Sequence, residues 1–350
     1  MKLGFFVVAM LMLINISAQT NFTKYNEEAY YSFQQNDIAT AIKKFSKALD
    51  YKNEVSNSYK VADTYINRGA CKQLLQKYES AQSDFDEALK IKPEYVKVYQ
   101  IKASAYLGAE QYQKAIDCAD KGLEIKENDA DLKAKKAEAY TQLKKYDDAI
   151  HTLLSVLEDN PKNKNATKYI GHNYQMKKKW DSALVYFSAA IQLDPLDHAS
   201  FFDRAIAYAY SKDTINARKD IEHAMKLDTS SRWVGYNNLG YFVRLEQKDY
   251  KGAIEMFDKS ISLKPDFSYA YSNRGFAKLN LGDIKGAYQD LKKSLSLDDK
   301  NPYAFKNLAL INLKEGKTSE ACANLKKSLD LGYTQKYDDE VETLIKEHCR

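Results

Sequence analysis

Proline and glycine are scarce, at 5 and 13 residues in a chain of 350. Strands joined by tight turns draw on both, so a β-rich architecture has too few turn-makers here. The five histidines, His151, His172, His198, His223 and His348, share no catalytic spacing. No HExxH, GxSxG or phosphate-cradling glycine loop is present. The four cysteines form no CxxC or Cys/His cluster with zinc-ligand spacing. The sequence therefore offers no catalytic, metal or cofactor-binding residues, and the expectation is a protein that is not an enzyme. Net charge is only +5, with both signs interspersed, so the concentrated basic face of a nucleic-acid binder is missing. What remains is 44% hydrophobic and 29% charged, the balance of a folded chain, with 27 tyrosines to be accounted for.

Long apolar runs are also few. Lys2 precedes an uncharged stretch from Leu3 to Ile14, followed by Asn15-Ile16-Ser17-Ala18. A positive start, a short apolar core and a small exit residue describe a secretory signal peptide, residues 1–18, cleaved after Ala18. A permanent span needs about 20 residues, which makes a retained anchor the weaker alternative. The expected mature protein is exported, periplasmic or secreted, with no integral membrane segment.

The remaining chain repeats. Ala-x-x-x-Phe-x-x-Ala occurs at Ala41/Phe45/Ala48 and at Ala81/Phe85/Ala88. Its first Ala recurs at Ala41, Ala81, Ala115, Ala149, Ala183, Ala217, Ala253, Ala287 and Ala321, at intervals of 40, 34, 34, 34, 34, 36, 34 and 34. Twelve or thirteen residues before each stands Ala29, Gly69, Ala103, Ala137, Gly171, Ala205, Gly240, Gly275 or Ala309. Small residues inside two consecutive helices let their axes approach, and a large apolar residue four positions on fills the interface. Pro93, Pro161, Pro195 and Pro265 fall between repeats, and Pro302 opens the last one, where a missing N–H does no harm.

Stretches such as Tyr236-Asn237-Asn238-Leu239-Gly240 and Tyr271-Ser272-Asn273-Arg274-Gly275, followed by Ala-x-x-x-Phe-x-x-Ala and a proline, resemble the tetratricopeptide repeat. The resemblance covers residues 22–335 and implies an all-α, right-handed solenoid of about nine 34-residue helix-turn-helix repeats. The repeat array, residues 19–335, divides near 22–55, 62–95, 96–129, 130–163, 164–197, 198–231, 233–267, 268–301 and 302–335. Extra residues fall near Glu54–Val61, near Ser230–Ser231 and between Gly240 and Ala253. Tyr106, Tyr140, Tyr174 and Tyr208 share one repeat position and are expected in interhelical packing. Residues 336–350 form a capping helix on the stripe Val341, Leu344 and Ile345, as an open-ended solenoid needs.

In such repeats the first helices line a concave groove, which implies polar groove residues early in the array. These are Lys97, Gln100, Asp131, Glu138, Asn165, Lys168, His172 and Gln175. The later repeats offer Phe202, Tyr210, Asn237, Tyr241, Arg244, Tyr269, Phe276, Tyr303 and Lys306, the residue types that dominate interface energetics. His172 stands where a carboxylate clamp would need Asn, so that clamp is not expected.

Cys322 on the last repeat's second helix and Cys349 at the end of the cap are candidate disulfide partners; free thiols are the alternative. Cys71 and Cys118 read as small buried hydrophobes. Asp181-Ser182-Ala183 and Asp213-Thr214-Ile215 read as helix N-caps, with an O-glycosylation motif of exported bacterial proteins as the alternative. The Lys-, Asn- and Tyr-rich composition suggests a bacterium with a periplasm; the alternative is a eukaryotic secretory route, where Asn21-Phe22-Thr23 and Asn165-Ala166-Thr167 would be glycosylation acceptors. The expected function is a non-catalytic scaffold of the cell envelope that holds a protein or peptide in its groove. A structural assembly factor that self-associates or organises an envelope or secretion complex is the alternative.

Overall fold

The computed structural model describes residues 20–333 and 340–349. The expected signal peptide lies outside them, as do residues 336–339 and 350 of the expected cap. Every described element is helical, and the chain divides into two compact units, Met1–Leu143 and Lys144–Arg350.

The first unit holds α1 (Asn21–Gln34), α2 (Ile38–Asp50), α3 (Ser58–Leu74), α4 (Tyr78–Ile91), α5 (Val96–Gly108), α6 (Tyr112–Ile125) and α7 (Ala130–Gln142). After α2 the chain makes a 3-10 turn, Lys52–Glu54, and the inserted residues that follow lead into α3, which at 17 residues is longer than α5 or α7 at 13. Glu54 accepts hydrogen bonds from Asn21 Nδ2 at 3.2 Å and the Phe22 N–H at 3.4 Å. A carboxylate thus sits at the open N-terminus of α1, where free N–H groups favour it.

The second unit holds α8 (Tyr146–Asp159), α9 (Lys164–Met176), α10 (Trp180–Leu193), α11 (His198–Tyr210), α12 (Thr214–Leu227) and α13 (Arg232–Asn238). It continues through α14 (Tyr250–Leu263), α15 (Ser268–Asn280), α16 (Ile284–Leu297), α17 (Pro302–Lys314), α18 (Thr318–Asp330) and α19 (Glu340–His348). Between α13 and α14 the chain runs as a π-helix, Leu239–Leu245. That segment contains the one extra residue between Gly240 and Ala253; a helix wound wider takes up an insertion without ending.

The small residues carry the close approach between helices. Ala41, Ala81, Ala115, Ala149, Ala183, Ala217, Ala253, Ala287 and Ala321 have no solvent exposure. Where the large partner is Phe85 or Phe257, the residue opposite is Gly: a Cβ on Gly69 or Gly240 would stand 2.6 Å from the ring. Ring and hydrogen atom are matched in volume, as dense packing demands. The four recurrent tyrosines are half-buried beside these contacts, as expected.

Turns within repeats end in a left-handed residue. Asn36, Gln76, Glu110, Lys178, Lys212 and Lys248 have φ between 57° and 65°, and Gly282 and Gly316 take the same place. In each case the next residue's N–H returns to a carbonyl five residues back, as in Asp37 to Ser32 and Lys317 to Asn312. This is a Schellman closure, satisfying carbonyls that the helix end leaves open. Asp213 caps α12 by accepting from the Asn216 N–H. Asp181 does not cap α10: the preceding Lys179 holds that place without a side-chain bond, and Asp181 lies in the first turn, where its charge suits the helix dipole.

A charged pair crosses each of three repeats. Arg68 binds Asp84, Arg204 binds Asp220 and Arg274 binds Asp290, each through two nitrogens at 2.6–3.0 Å. The third guanidinium nitrogen reaches the second helix of the preceding repeat, at Ser46, Ser188 or Asp258. One side chain thereby joins three helices. Glu28 and Lys44 occupy the same two positions in the first repeat with the signs exchanged.

Candidate functional site

In the second unit, α11, the π-helical turn, α15, α17 and α19 surround a cavity of about 440 Å³. Its aromatic lining is Tyr210, Tyr241, Phe242, Phe276, Tyr303 and Tyr333. Tyr210, Tyr241, Phe242, Phe276 and Tyr303 come from the first helices of successive repeats, and Tyr333 follows α18. Phe276 follows Asn273 by three positions and Lys306 follows Tyr303 by three, the spacing of neighbours along a helix.

The rings brace one another and the wall behind them. Trp180 stacks on Tyr210 at 4.7 Å, and Tyr210 meets Phe242 edge-on at 5.7 Å. Tyr303 makes edge contacts with Tyr269 at 5.8 Å and Tyr333 at 5.0 Å.

The polar groups are Asn273, Asn307, Lys306, Glu340, Lys212 and Glu246. Lys306 Nζ donates to Glu340 Oε2 at 3.0 Å and lies 4.6 Å from the centre of the Phe276 ring. Tyr333 Oη donates to the same Glu340 oxygen. Lys212 pairs with Glu246 at 2.6 Å. Asn273 donates to Asn237 Oδ1 at 3.0 Å, and Asn307 Nδ2 donates to Ser272 O at 3.1 Å. Asn307 Oδ1 is buried and has no partner.

The structure therefore gathers Tyr210, Tyr241, Phe276, Tyr303 and Lys306 of the expected groove residues at one cavity. Asn237 stands behind it, bonded to Asn273. Tyr269 is 36% exposed and borders it through Tyr303; burial raises its phenol pKa. Arg244 does not line it, being held by Asp249 of its own repeat at 2.8 Å.

Two expectations are corrected. Phe202 is not a groove residue: it is 8% exposed and shares a core with Ile221, Met225, Leu239 and Val243. Lys306 is not an exposed cation: α19 covers it, leaving 6% exposure and supplying Glu340 as its partner. The early polar residues are also engaged. Gln100 donates to Asp129, Lys168 pairs with Asp197, and His172 lies 3.2 Å from Asp203.

Asn273, Asn307 and Phe242 line the cavity and were absent from the sequence-based set. The two asparagines stand two residues before Gly275 and Ala309, so the repeat register could have found them. Phe242 could not be found that way, because the π turn shifts the phase after Gly240.

α19 is fastened at its far end. Cys322 and Cys349 are disulfide-bonded, 27 residues apart in sequence with Cα atoms 5.6 Å apart. Val341 is fully buried in a cluster with Ala309, Leu325 and Tyr333, and Leu344 and Ile345 pack against it.

Residues 106–168 match one tetratricopeptide-repeat family model, and residues 62–95, 235–267 and 268–301 match another. A stretch of 85 residues is 33% identical to heat shock protein STI1 of Saccharomyces cerevisiae, covering 24% of this chain and 14% of that protein's length. The backbone is similar to that of a monomeric IFIT1 mutant with Gppp-AAAA, with TM-score 0.56 and 15% identity over 95% of this chain and 82% of that one. It is also similar to the APC/C hetero-tetramer Cut9-Hcn1, with TM-score 0.54 and 16% identity over 88% of this chain and 59% of that one. These likenesses define the class of fold, an all-helical solenoid of repeats. The matched stretches are tetratricopeptide repeats, a kind of repeat that mediates protein–protein interaction.

Proposed function

We propose that this protein is a non-catalytic scaffold of the cell envelope that holds a segment of another protein against the aromatic cavity of its second unit. The observation that carries the reading is the convergence of six aromatic residues, two of them from the π-helical turn, on one cavity of about 440 Å³. Such a volume falls in the roughly 300–1,000 Å³ range of built binding pockets, and aromatic side chains are the usual anchors of interfaces. The signal-peptide pattern of residues 1–18 and the Cys322–Cys349 bond support an exported, periplasmic or secreted location, since disulfides persist in oxidising compartments.

The test is affinity capture from envelope extract with residues 19–350 and with a Tyr241→Ala/Phe276→Ala variant of the same circular dichroism spectrum. A partner held by the first and lost by the second supports the cavity as the site. Equal capture by both moves the site elsewhere on the surface. A chain that captures nothing and grows in mass with concentration is instead the self-associating assembly factor.

A further inference from the structure

We propose that the last repeat is a docking seat for a short amphipathic helix of the partner, with a carboxylate in its first turn, and that α19 fills this seat until the partner displaces it. The inference deepens the proposed function and rests on the cavity being the binding site.

The repeats build a buried cation and leave its counter-ion to another element. Lys306 of α17 places its Nζ 4.6 Å from the centre of the Phe276 ring and 5.6 Å from that of Tyr333. Rings attract a cation without neutralising it, and a buried ammonium needs a hydrogen-bonded anion. Arg204 and Arg274 find theirs inside their own repeats, at Asp220 and Asp290. Among the described residues, Lys306 has its ion pair only with Glu340, which belongs to α19.

The rest of α19 shows what the seat accepts. Val341 is fully buried against Ala309, Leu325 and Tyr333, and Leu344 and Ile345 pack on the same cluster. Those three positions share one helix face, while Glu342, Thr343, Lys346 and Glu347 are exposed. An acidic residue followed by an apolar stripe, laid on a receiving surface, is the helix-in-groove mode of recognition.

The hold on α19 is uneven. A helix of nine residues is too short to persist alone, and Cys322–Cys349 fastens its far end. Its near end rests on Glu340 Oε2, which accepts from Lys306 Nζ and Tyr333 Oη. Glu340, Lys306 and Tyr333 also line the cavity. A partner lying there meets the end of α19 that no covalent bond secures, and its carboxylate takes the place of Glu340 on Lys306. The tether keeps most seats filled, and apparent affinity falls with the open fraction.

The experiment is calorimetric titration of residues 19–350, intact and as a Cys322→Ser/Cys349→Ser variant. The probe is a capped peptide of residues 340–348, kept helical by a lactam joining the exposed side chains of Glu342 and Lys346. It is expected to bind the variant at least about tenfold more tightly than the intact chain. The intact chain reduced with dithiothreitol repeats that comparison without a substitution. Glu340→Gln in the peptide should weaken binding to the variant about tenfold, the effect of losing a hydrogen bond between charged groups. Lys306→Met in the variant should make the two peptides equal. The peptide comparison keeps Lys306 in place, so it stands even if Lys306→Met misfolds. Equal affinity of both peptides for the chain with Lys306 would overturn the carboxylate assignment. Equal affinity for tethered and untethered chains would overturn α19 as the occupant. Failure of both peptides, with a protein still captured through Tyr241 and Phe276, would overturn the seat and leave the proposed function standing.

Discussion

Arg274 and Asp290 lie 16 residues apart in sequence and meet at 2.6 Å, and Asp290 is only 5% exposed. Burial opposes the guanidinium charge, but the bonds to Asp290 and Asp258 outweigh it and hold Arg274 protonated. Removing one member of such a pair leaves the other uncompensated. Asp290→Ala should cost about 3 kcal/mol in urea unfolding. Asp258 is half exposed, so Asp258→Ala should cost less than about 1 kcal/mol. Equal losses would mean that the guanidinium is held mainly from the preceding repeat.

Phe202 separates stability from binding. Phe202→Ala should destabilise the second unit by about 3–5 kcal/mol, the usual cost of emptying a core ring site. Tyr241→Ala, at a half-exposed cavity position, should leave the melting temperature nearly unchanged and weaken partner capture. The reverse pattern would place Phe202 in the interface after all.

The disulfide should act locally. A Cys322→Ser/Cys349→Ser variant is expected to lose about 3.5 kcal/mol of stability, the loop-entropy value for a closure of this length. Hydrogen exchange should quicken first at residues 340–348. Because α19 carries Glu340, the pairing of Lys306 should weaken with it, seen as faster amine labelling at Lys306. Uniform loss of protection across the second unit would show that the bond serves the whole stack.

The two free thiols give a pH dependence. Burial raises the Cys71 pKa from 9.0 to about 12 and that of Cys118 to about 11. Above pH 9 these thiols ionise in the unfolded chain before they ionise in the folded one, so alkali favours unfolding. Their contribution is complete below pH 9 and is lost as pH rises to about 11 for Cys118 and about 12 for Cys71. A Cys71→Ala variant should show a shallower alkaline loss. Iodoacetamide at pH 8 should leave both thiols unlabelled until denaturant is added.

The left-handed turns are sites of removable strain. Gln76 has φ 57° with a Cβ that crowds the following carbonyl. Gln76→Gly should stabilise the first unit by about 1 kcal/mol, as the later repeats already do with Gly282 and Gly316. A destabilised variant would mean that the Gln76 side chain makes up for its backbone.

The alternation of helices was legible because it depends on volume at fixed positions. Ala41 or Ala81 can lie at a helix contact only if small, and this small residue recurs along the array with a bulky partner four residues later in eight of nine units. Polar contacts obey no such schedule. Arg68, Arg204 and Arg274 skip repeats between them, and Glu28–Lys44 reverses the signs, so no single residue pattern marks the pairing. The cavity was half legible for a related reason. Tyr241, Phe276 and Tyr303 follow from the register of first helices, but Phe202 has the same assignment and is claimed by Met225 and Leu239. Lys306 looked free because what buries it is a helix beyond the last repeat.

The π-helical turn at Leu239–Leu245 keeps a local change in length from becoming a global change of phase. Ala253, Ala287 and Ala321 resume the 34-residue interval as though nothing had been added. A modular array can therefore vary one module's recognition surface by insertion while its neighbours go on being read in the old frame.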